Sequence, residues 1–213
     1  MRRRRLRILG LLLLLAVPDR TQAAGPRPSV ADLVARGDEQ ALVALGPAAL
    51  PELVRLYAAG TDEQKIHIAN VFYQLGRRSP EAEQALLRDV RTQNRDLRAA
   101  VQYALGRVSD DPQVVDTLLA IMRNDGSPFF RDKAACALAY DQIHLSEAQK
   151  VRLYEGLIGA LEDPKPQVQV IAIQALTILT GQDKGFRRSD PPDKKRQSIE
   201  AWKRWLTDYR SNL

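Results

Sequence analysis

The sequence contains few of the residues that bind metals or form disulfides. It has one cysteine, Cys136, and two histidines, His67 and His144. A single cysteine excludes an internal disulfide and a multi-cysteine zinc site. Neither histidine precedes a glutamate, and no His-x-x-x-His or Cys-x-x-Cys spacing occurs. We therefore expect no metal site, and we expect Cys136, in an alanine-rich stretch, to pack in the core.

The short motifs of common enzyme classes are also missing. There is no Gly-x-Ser-x-Gly, no phosphate-binding loop and no Gly-x-Gly-x-x-Gly. Neighbouring acidic residues fall at expected helix boundaries, where carboxylates favour the positive end of the helix dipole or a solvated turn. These pairs are Asp38-Glu39, Asp62-Glu63, Asp110-Asp111 and Glu162-Asp163. We expect a protein that is not an enzyme and holds no cofactor.

Positive charge is concentrated at the start of the chain. Of the formal net charge of +6, residues 1–23 contribute +5, from six arginines and one aspartate. Residues 24–183 hold 17 basic and 21 acidic groups, a net of −4. Phosphate contacts need a concentrated basic surface, so this balance argues against a nucleic-acid partner.

Residues 1–23 have the three parts of a secretory signal peptide. Arginines precede the apolar run Ile8–Val17, Pro18 ends it, and Thr21-Gln22-Ala23 offers a cleavage site after Ala23. A buried or amphipathic helix is the alternative, but it fits the arginines poorly. The run is half of the roughly 20 residues that cross a membrane. We expect export by the general or the twin-arginine route, and a periplasmic or secreted protein with no transmembrane segment after cleavage.

Beyond a short linker at 24–28, the sequence predicts helices separated by brief turns, with no alternating strand pattern. Capping boxes are expected at Ser29 with Asp32, Thr61 with Gln64, and Ser146 with Gln149. Prolines at 80, 112, 128 and 166 suit a first helical turn. The predicted helices are 29–45 (open to a break at Gly37), 47–59, 62–77, 80–93, 95–108, 112–124, 128–141, 146–162, 166–180 and 194–210.

A repeat runs through these helices. The pairs Ala104-Leu105, Ala137-Leu138 and Ala175-Leu176 recur at spacings of 33 and 38 residues, and Gln74-Leu75 precedes the first by 30. Small residues at equivalent points of every second helix allow neighbouring hairpins to approach closely. A fixed period of this length predicts stacked helical hairpins.

This pattern, with Arg-Ala-Ala-Val-Gln-Tyr-Ala-Leu-Gly at 98–106, resembles HEAT repeats of the short bacterial type also found in phycobilisome-lyase proteins. The resemblance covers about residues 47–181 and implies an all-α fold, an α-solenoid of antiparallel hairpins over 29–183. HEAT-like metal hydroxylases carry repeated His-Glu pairs that this sequence lacks. HEAT-like DNA glycosylases need a basic face, and lyases act in the cytoplasm, so neither activity is expected.

Residues 184–213 differ from the repeat. They form a basic, proline-containing loop followed by a helix with Ile199, Trp202, Leu206 and Tyr209 at helical spacing. We expect this stripe to cap the open end of the solenoid, with an aromatic ligand platform as the alternative. Residues 184–210 hold nine basic and four acidic groups. They are expected to be solvated, with contact to an anionic membrane surface as the alternative.

The remaining candidate site is the surface of the second helices, which in HEAT-type stacks lines the concave side. Superposition of the repeats places Arg98, Arg131 and Gln169 at equivalent positions, with Gln102 one turn after Arg98. Such a ladder is either solvated or a contact surface, and arginine is enriched at binding hot spots. We therefore predict an exported scaffold or adaptor that binds a protein or peptide through these four residues. The alternative is a small-ligand or lyase-like HEAT protein.

Overall fold

The computed structural model describes residues 28–213, and within that range the protein is all-α. The predicted signal peptide and all but the last residue of the linker lie outside it. The helices are α1 Val30–Ala35, α2 Glu39–Ala44, α3 Leu50–Ala59, α4 Asp62–Leu75, α5 Pro80–Asp89, α6 Arg95–Val108, α7 Pro112–Asn124, α8 Pro128–Tyr140, α9 Glu147–Ala160, α10 Pro166–Thr180 and α11 Pro192–Ser211. A short 3-10 helix, Gly46–Ala49, precedes α3.

The helix starts follow the capping residues of the sequence. Ser29, Thr61 and Ser146 each accept a hydrogen bond from the backbone N–H three residues on, and the side chain at that position returns one. All three expected capping boxes are therefore confirmed. Proline occupies the first turn of α5, α7, α8 and α10, where its missing N–H leaves no partner unsatisfied.

The first predicted helix is divided at Gly37. Its φ of 65° lies in the left-handed region, which glycine adopts without steric cost. A Cβ at this position would lie 2.8 Å from Nε2 of His67 on α4. The turn therefore requires glycine for its conformation and for close packing, and the chain continues as two short helices, α1 and α2.

Helices pack in hairpins and in two rows. α3 contacts α4, α5 contacts α6, α7 contacts α8, and α9 contacts α10, as the short turns predict. The even-numbered helices α4, α6, α8 and α10 contact one another in chain order, and we call them the even-helix row. In the odd-helix row, α3 packs on α5, α7 on α9, and α9 on α11. α5 and α7 are the exception, because they are not packed closely against each other.

The core lies between the two rows, where the superposed Ala-Leu pairs of α6, α8 and α10 are each at most 1% exposed. Burial of a leucine side chain contributes about 2 kcal/mol. The stripe of the last helix is also buried, with Trp202 completely enclosed and Ile199 and Leu206 nearly so. Trp202, Trp205, Tyr209 and Tyr154 of α9 form a chain of ring contacts at centroid distances of 5.0–5.4 Å. α11 thus packs its aromatic side against α9.

Candidate partner-binding face

Three of the four predicted contact residues brace the turns of their own hairpins. Nε of Arg98 donates to the carbonyl of Val90 at 3.3 Å. The equivalent Arg131 donates from Nη1 to the carbonyl of Asp125 at 2.7 Å, and Gln169 donates from Nε2 to that of Asp163 at 2.8 Å. Each side chain therefore satisfies a carbonyl at or just after the end of the preceding helix, where the helix provides no N–H. These three positions, which the repeat superposes, make the same kind of bond to the turn before their helix.

The same side chains also connect neighbouring hairpins. Arg98 forms an ion pair with Asp125, and its guanidinium lies 4.0 Å from the ring centroid of Phe130. Arg131 donates to Gln167 of α10, and Gln169 accepts from Lys195 of α11 at 3.2 Å. These polar groups therefore make internal contacts, and partner binding through Arg98, Arg131 and Gln169 stays a prediction.

Gln102 is completely buried in α6. Neither its amide nitrogen nor its amide oxygen has a hydrogen-bond partner within the described chain. A partner bound at the surface cannot touch a side chain with no exposed area. The prediction that Gln102 contributes to a binding surface is therefore wrong, because its repeat position faces the core.

A different set of side chains forms the outer surface of the even-helix row. Tyr73, Tyr103, Cys136 and Gln174 are separated by 30, 33 and 38 residues, the spacings of the Ala-Leu pairs. Each lies one residue before a member of the repeat pair, and each is partly or fully exposed. We define the even-helix face as Tyr73, Tyr103, Lys133, Cys136, Tyr140 and Ile178.

Two tyrosines form one end of this face. The rings of Tyr73 and Tyr103 meet edge to face with centroids 6.3 Å apart. Together with Asn70 and Ala100 they line a cavity of about 280 Å³ between α4 and α6. The guanidinium of Arg107 lies 4.4 Å from the ring centroid of Tyr73. The cavity is therefore small, aromatic and flanked by a cation.

The cations on this face are held by their neighbours. A hydrogen bond from Lys133 to Tyr103 raises the pKa of the lysine above its ordinary value, against the effect of its partial burial. Nε of Arg107 donates to Asp141 at 3.1 Å. Burial raises the pKa of the Asp141 carboxyl, an effect that Arg107 opposes. Both cations are thus fixed beside aromatic rings, an arrangement that stabilises them at a partly exposed site.

The other end of the face is more apolar. Tyr140 is 60% exposed and Ile178 is 44% exposed. With Cys136 they line a cavity of about 480 Å³ that extends to Phe186 in the loop before α11. The expectation of a core position for Cys136 is corrected to partial burial at this groove. Burial raises the pKa of its thiol, and the nearby Asp132 carboxylate raises it further.

Both histidines make structural hydrogen bonds. Nδ1 of His67 lies 2.8 Å from a carboxylate oxygen of Glu39, which also accepts from Asn70 at 2.9 Å, so α2 is fixed on α4. Nε2 of His144 lies 3.1 Å and 3.0 Å from the carbonyls of Gly76 and Arg107, at the ends of α4 and α6. In residues 28–213, no three histidine, cysteine, aspartate or glutamate side chains group in a way that could hold a metal ion.

Four of the nine basic residues in 184–210 form ion pairs. Lys203 contacts Glu162 at 2.8 Å and Glu200 at 3.1 Å, and Arg210 pairs with Glu155 of α9. Arg187 pairs with Asp183, just before the segment, and Arg196 pairs with Asp193 within it. The ion pairs of Lys203 and Arg210 thus connect α11 to α9 and the turn that follows it. Among the helices of residues 28–213, none has the length and apolar character to cross a membrane.

Comparison with known proteins assigns no relative to the chain: no protein-family model matches it, and no curated protein matches it significantly.

Proposed function

We propose that this protein is an exported, non-enzymatic scaffold of the HEAT-repeat type, and that it binds a protein or peptide segment along the even-helix face. The observation that carries the proposal is the set of exposed and partly exposed aromatic and apolar side chains at repeat-related positions of the even helices, with the cations Lys133 and Arg107 held beside the rings. Aromatic side chains provide large contact areas at low cost in conformational entropy, which suits them as anchors for a partner.

The arrangement of the helices supports a short α-solenoid. The main helix contacts join hairpins that are neighbours in chain order, and bonds such as those of Arg98 and Arg131 link one hairpin to the next. Stacking of this kind gives an extended surface whose side chains are held in place before a partner arrives. A preorganised surface loses less entropy on binding and so binds more tightly.

The binding surface is tested with paired variants. The purified protein captures partners from an envelope extract of its host, and bound proteins are identified by mass spectrometry. We expect one partner to be lost with Tyr103→Ala combined with Lys133→Glu and to be retained with Arg55→Glu, a change on the exposed side of α3. Retention of every captured protein by the first variant contradicts the proposed face.

A cross-linking experiment locates the partner directly. Cys136 is the only cysteine, so a benzophenone maleimide attaches to the even-helix face alone. We expect ultraviolet light to cross-link the captured partner to this position. The matched control carries Cys136→Ser and Arg55→Cys, which moves the probe to α3. Equal cross-linking from both positions counts against a specific face.

Export is the second part of the proposal and is supported by the composition of residues 1–23. Fractionation of the host followed by N-terminal sequencing tests it. A mature chain that begins at Ala24 in the periplasmic or secreted fraction is the expected result. Full-length protein confined to the cytoplasm contradicts export.

A small-ligand carrier is the second candidate, because two cavities of about 280 Å³ and 480 Å³ open on the even-helix face. Ligand pockets commonly measure about 300–1,000 Å³. Native mass spectrometry of protein purified from its host distinguishes the two functions. A bound small molecule that is lost with Tyr103→Ala favours the carrier, and a mass equal to that of the polypeptide favours the scaffold.

A further inference from the structure

The odd-helix row is interrupted between α5 and α7. A cavity of about 590 Å³ opens there, and no residue of the even-helix row lines it. Its lining comes from residues 84–91, in α5 and the turn after it, and from residues 113–120 of α7. We call this cavity the α5–α7 groove, and the proposed function does not use it.

Polar contacts fix the start of both helices beside the groove. The backbone N–H of Ser79, the N-cap of α5, donates to the carbonyl of Val108 at 2.9 Å. The hydroxyl of Ser109, in the loop before α7, donates to the carboxylate of Glu83 at 2.6 Å, and both side chains are buried. The separation of the helices beyond this point is therefore held by internal hydrogen bonds of the fold.

The groove has an apolar part and a polar rim. Leu87, Val90 and Ala120 provide the apolar lining, and Val90 is 6% exposed. The rim is formed by charged and amide or hydroxyl side chains of both helices; it comprises Gln84, Arg88, Arg91, Gln113, Asp116 and Thr117. An apolar centre with a polar rim is the usual anatomy of a protein interface.

The charge of the groove is unbalanced. Arg88 and Arg91 are exposed, and neither forms an ion pair with any residue in 28–213. Asp116 is the only acid in the lining, and Arg152 already holds it with two hydrogen bonds of 2.5 Å and 2.7 Å. Two arginines thus flank an apolar surface without a compensating carboxylate.

We propose that the α5–α7 groove binds an acidic peptide segment that carries large apolar side chains. Carboxylates of the segment pair with Arg88 and Arg91, whose planar guanidinium groups form two parallel hydrogen bonds to a carboxylate. An apolar side chain of the segment packs between Leu87 and Ala120. This site is separate from the even-helix face. A substitution can therefore abolish binding at one site and leave binding at the other unchanged.

Fluorescence polarisation tests the proposal with a short labelled peptide in which Glu and Asp alternate with Leu and Phe. A matched peptide with Gln and Asn in place of the acids is the neutral control. The acidic peptide is expected to bind more tightly than the neutral one and to weaken as salt is raised. Arg88→Glu combined with Arg91→Glu is expected to weaken binding by about tenfold or more, as for a close charge pair.

Three further variants separate this groove from general charge attraction. Ala120→Phe fills the groove without changing its charge and is expected to weaken binding. Arg204→Glu, at an exposed position of α11 with no ion pair in residues 28–213, is expected to leave it unchanged. Tyr103→Ala on the even-helix face is also expected to leave it unchanged. Circular dichroism checks that each variant remains folded.

Several results overturn the proposal. Equal affinity for the acidic and neutral peptides removes the role of charge, and an equal loss with Arg204→Glu shows that attraction is not confined to the groove. Competition by inorganic phosphate alone assigns the arginines to a phosphate site, and competition by anionic lipid vesicles assigns them to a membrane surface. Self-association that disappears with the Arg88 and Arg91 substitutions assigns the groove to a second copy of the chain.

Discussion

Arg98 of α6 and Asp125, the residue that ends α7, form an ion pair between neighbouring hairpins that is almost entirely shielded from solvent. Their side chains are 13% and 8% exposed. The other carboxylate oxygen of Asp125 accepts the backbone N–H of Ser127 at 2.9 Å, so one residue shapes its own turn and anchors the preceding hairpin. Stability of the stack therefore depends on polar bonds at the turns as well as on the apolar core.

Removal of one member of this pair is predicted to destabilise the protein strongly. Arg98→Met retains much of the apolar stem but leaves the Asp125 carboxylate buried without its partner. Breaking a buried pair in this way costs about 3 kcal/mol or more. Urea denaturation is expected to show the loss as a lower midpoint, and part of it is expected to return when Asp125→Asn is added.

An exposed pair provides the control. Arg55 and Glu52 of α3 are 3.1 Å apart, with side chains 71% and 42% exposed. Surface pairs contribute about 0–1 kcal/mol, so Arg55→Met is predicted to change the midpoint little. Equal effects of Arg98→Met and Arg55→Met contradict a special role for the buried pair.

Replacement of Gln102 by leucine is predicted to stabilise the protein. The buried amide has no hydrogen-bond partner in residues 28–213, so burial of its polar atoms is uncompensated. Leu has a similar volume and removes that penalty, for an expected gain of about 1–2 kcal/mol in the free energy of unfolding. The measurement is urea denaturation of Gln102→Leu.

Gln142 is the matched residue for this comparison. It is also buried, but its amide nitrogen donates to the carbonyl of Ala137 at 3.2 Å. Gln142→Leu loses this hydrogen bond and is predicted to destabilise the protein by about 1 kcal/mol. If Gln102→Leu also destabilises the protein, the Gln102 amide has a hydrogen-bond partner in solution.

The helices could be predicted from sequence because their signals are local. Ser29 and Thr61 cap with bonds that span three residues, and Gly37 divides the first segment through its own backbone conformation. The contacts of the predicted site residues depend on how separate helices pack, which no local signal gives. Nothing near Arg98 in the sequence indicates that its partners are Val90 and Asp125.

The superposition of the repeats also aligns positions of the even-helix face. Tyr73, Tyr103 and Cys136 follow the repeat spacings of 30 and 33 residues, and Arg98, Arg131 and Gln169 follow those of 33 and 38. Periodicity alone identifies equivalent positions but does not say which of them faces outward. Gln102 shows the difficulty, because a polar side chain is normally expected at the surface and this one lies in the core.

The thiol of Cys136 is predicted to react slowly with alkylating reagents at neutral pH. Burial raises its pKa, and the Asp132 carboxylate adds to this effect, so less thiolate is present than in a free cysteine. The rate of reaction with iodoacetamide increases with pH as the thiolate forms. This increase is expected to occur at a higher pH in the folded protein than in the protein unfolded in urea. Asp132→Asn is expected to move the folded profile toward lower pH.

This shift also has a consequence for stability. The folded state favours the protonated thiol. The contribution of this thiol to the free energy of unfolding is therefore fully present below the ordinary thiol pKa, and it is lost as the pH rises from that value through the raised pKa of the folded state. Cys136→Ser is expected to reduce that loss at alkaline pH. If the midpoint of the alkylation rate lies at the same pH or a lower pH in the folded protein than in the unfolded protein, the raised pKa is contradicted.

Two glycines of α9 provide the sharpest test of the packing between α7 and α9. A Cβ at Gly156 would lie 2.1 Å from Cδ1 of Leu119 on α7, whereas a Cβ at Gly159 meets nothing within 4 Å. Gly159→Ala is predicted to stabilise the protein by about 0.5–1 kcal/mol, because alanine restricts the unfolded chain and favours the helix. Gly156→Ala has the same propensity gain but must displace Leu119, for a net loss of about 1–3 kcal/mol.

Shortening the obstructing side chain with Leu119→Ala is expected to make the Gly156→Ala change less costly than it is in the wild-type background. Thermal or urea denaturation of the two single variants and the double variant measures these differences, and a stabilising Gly156→Ala would show that α7 and α9 do not pack this closely.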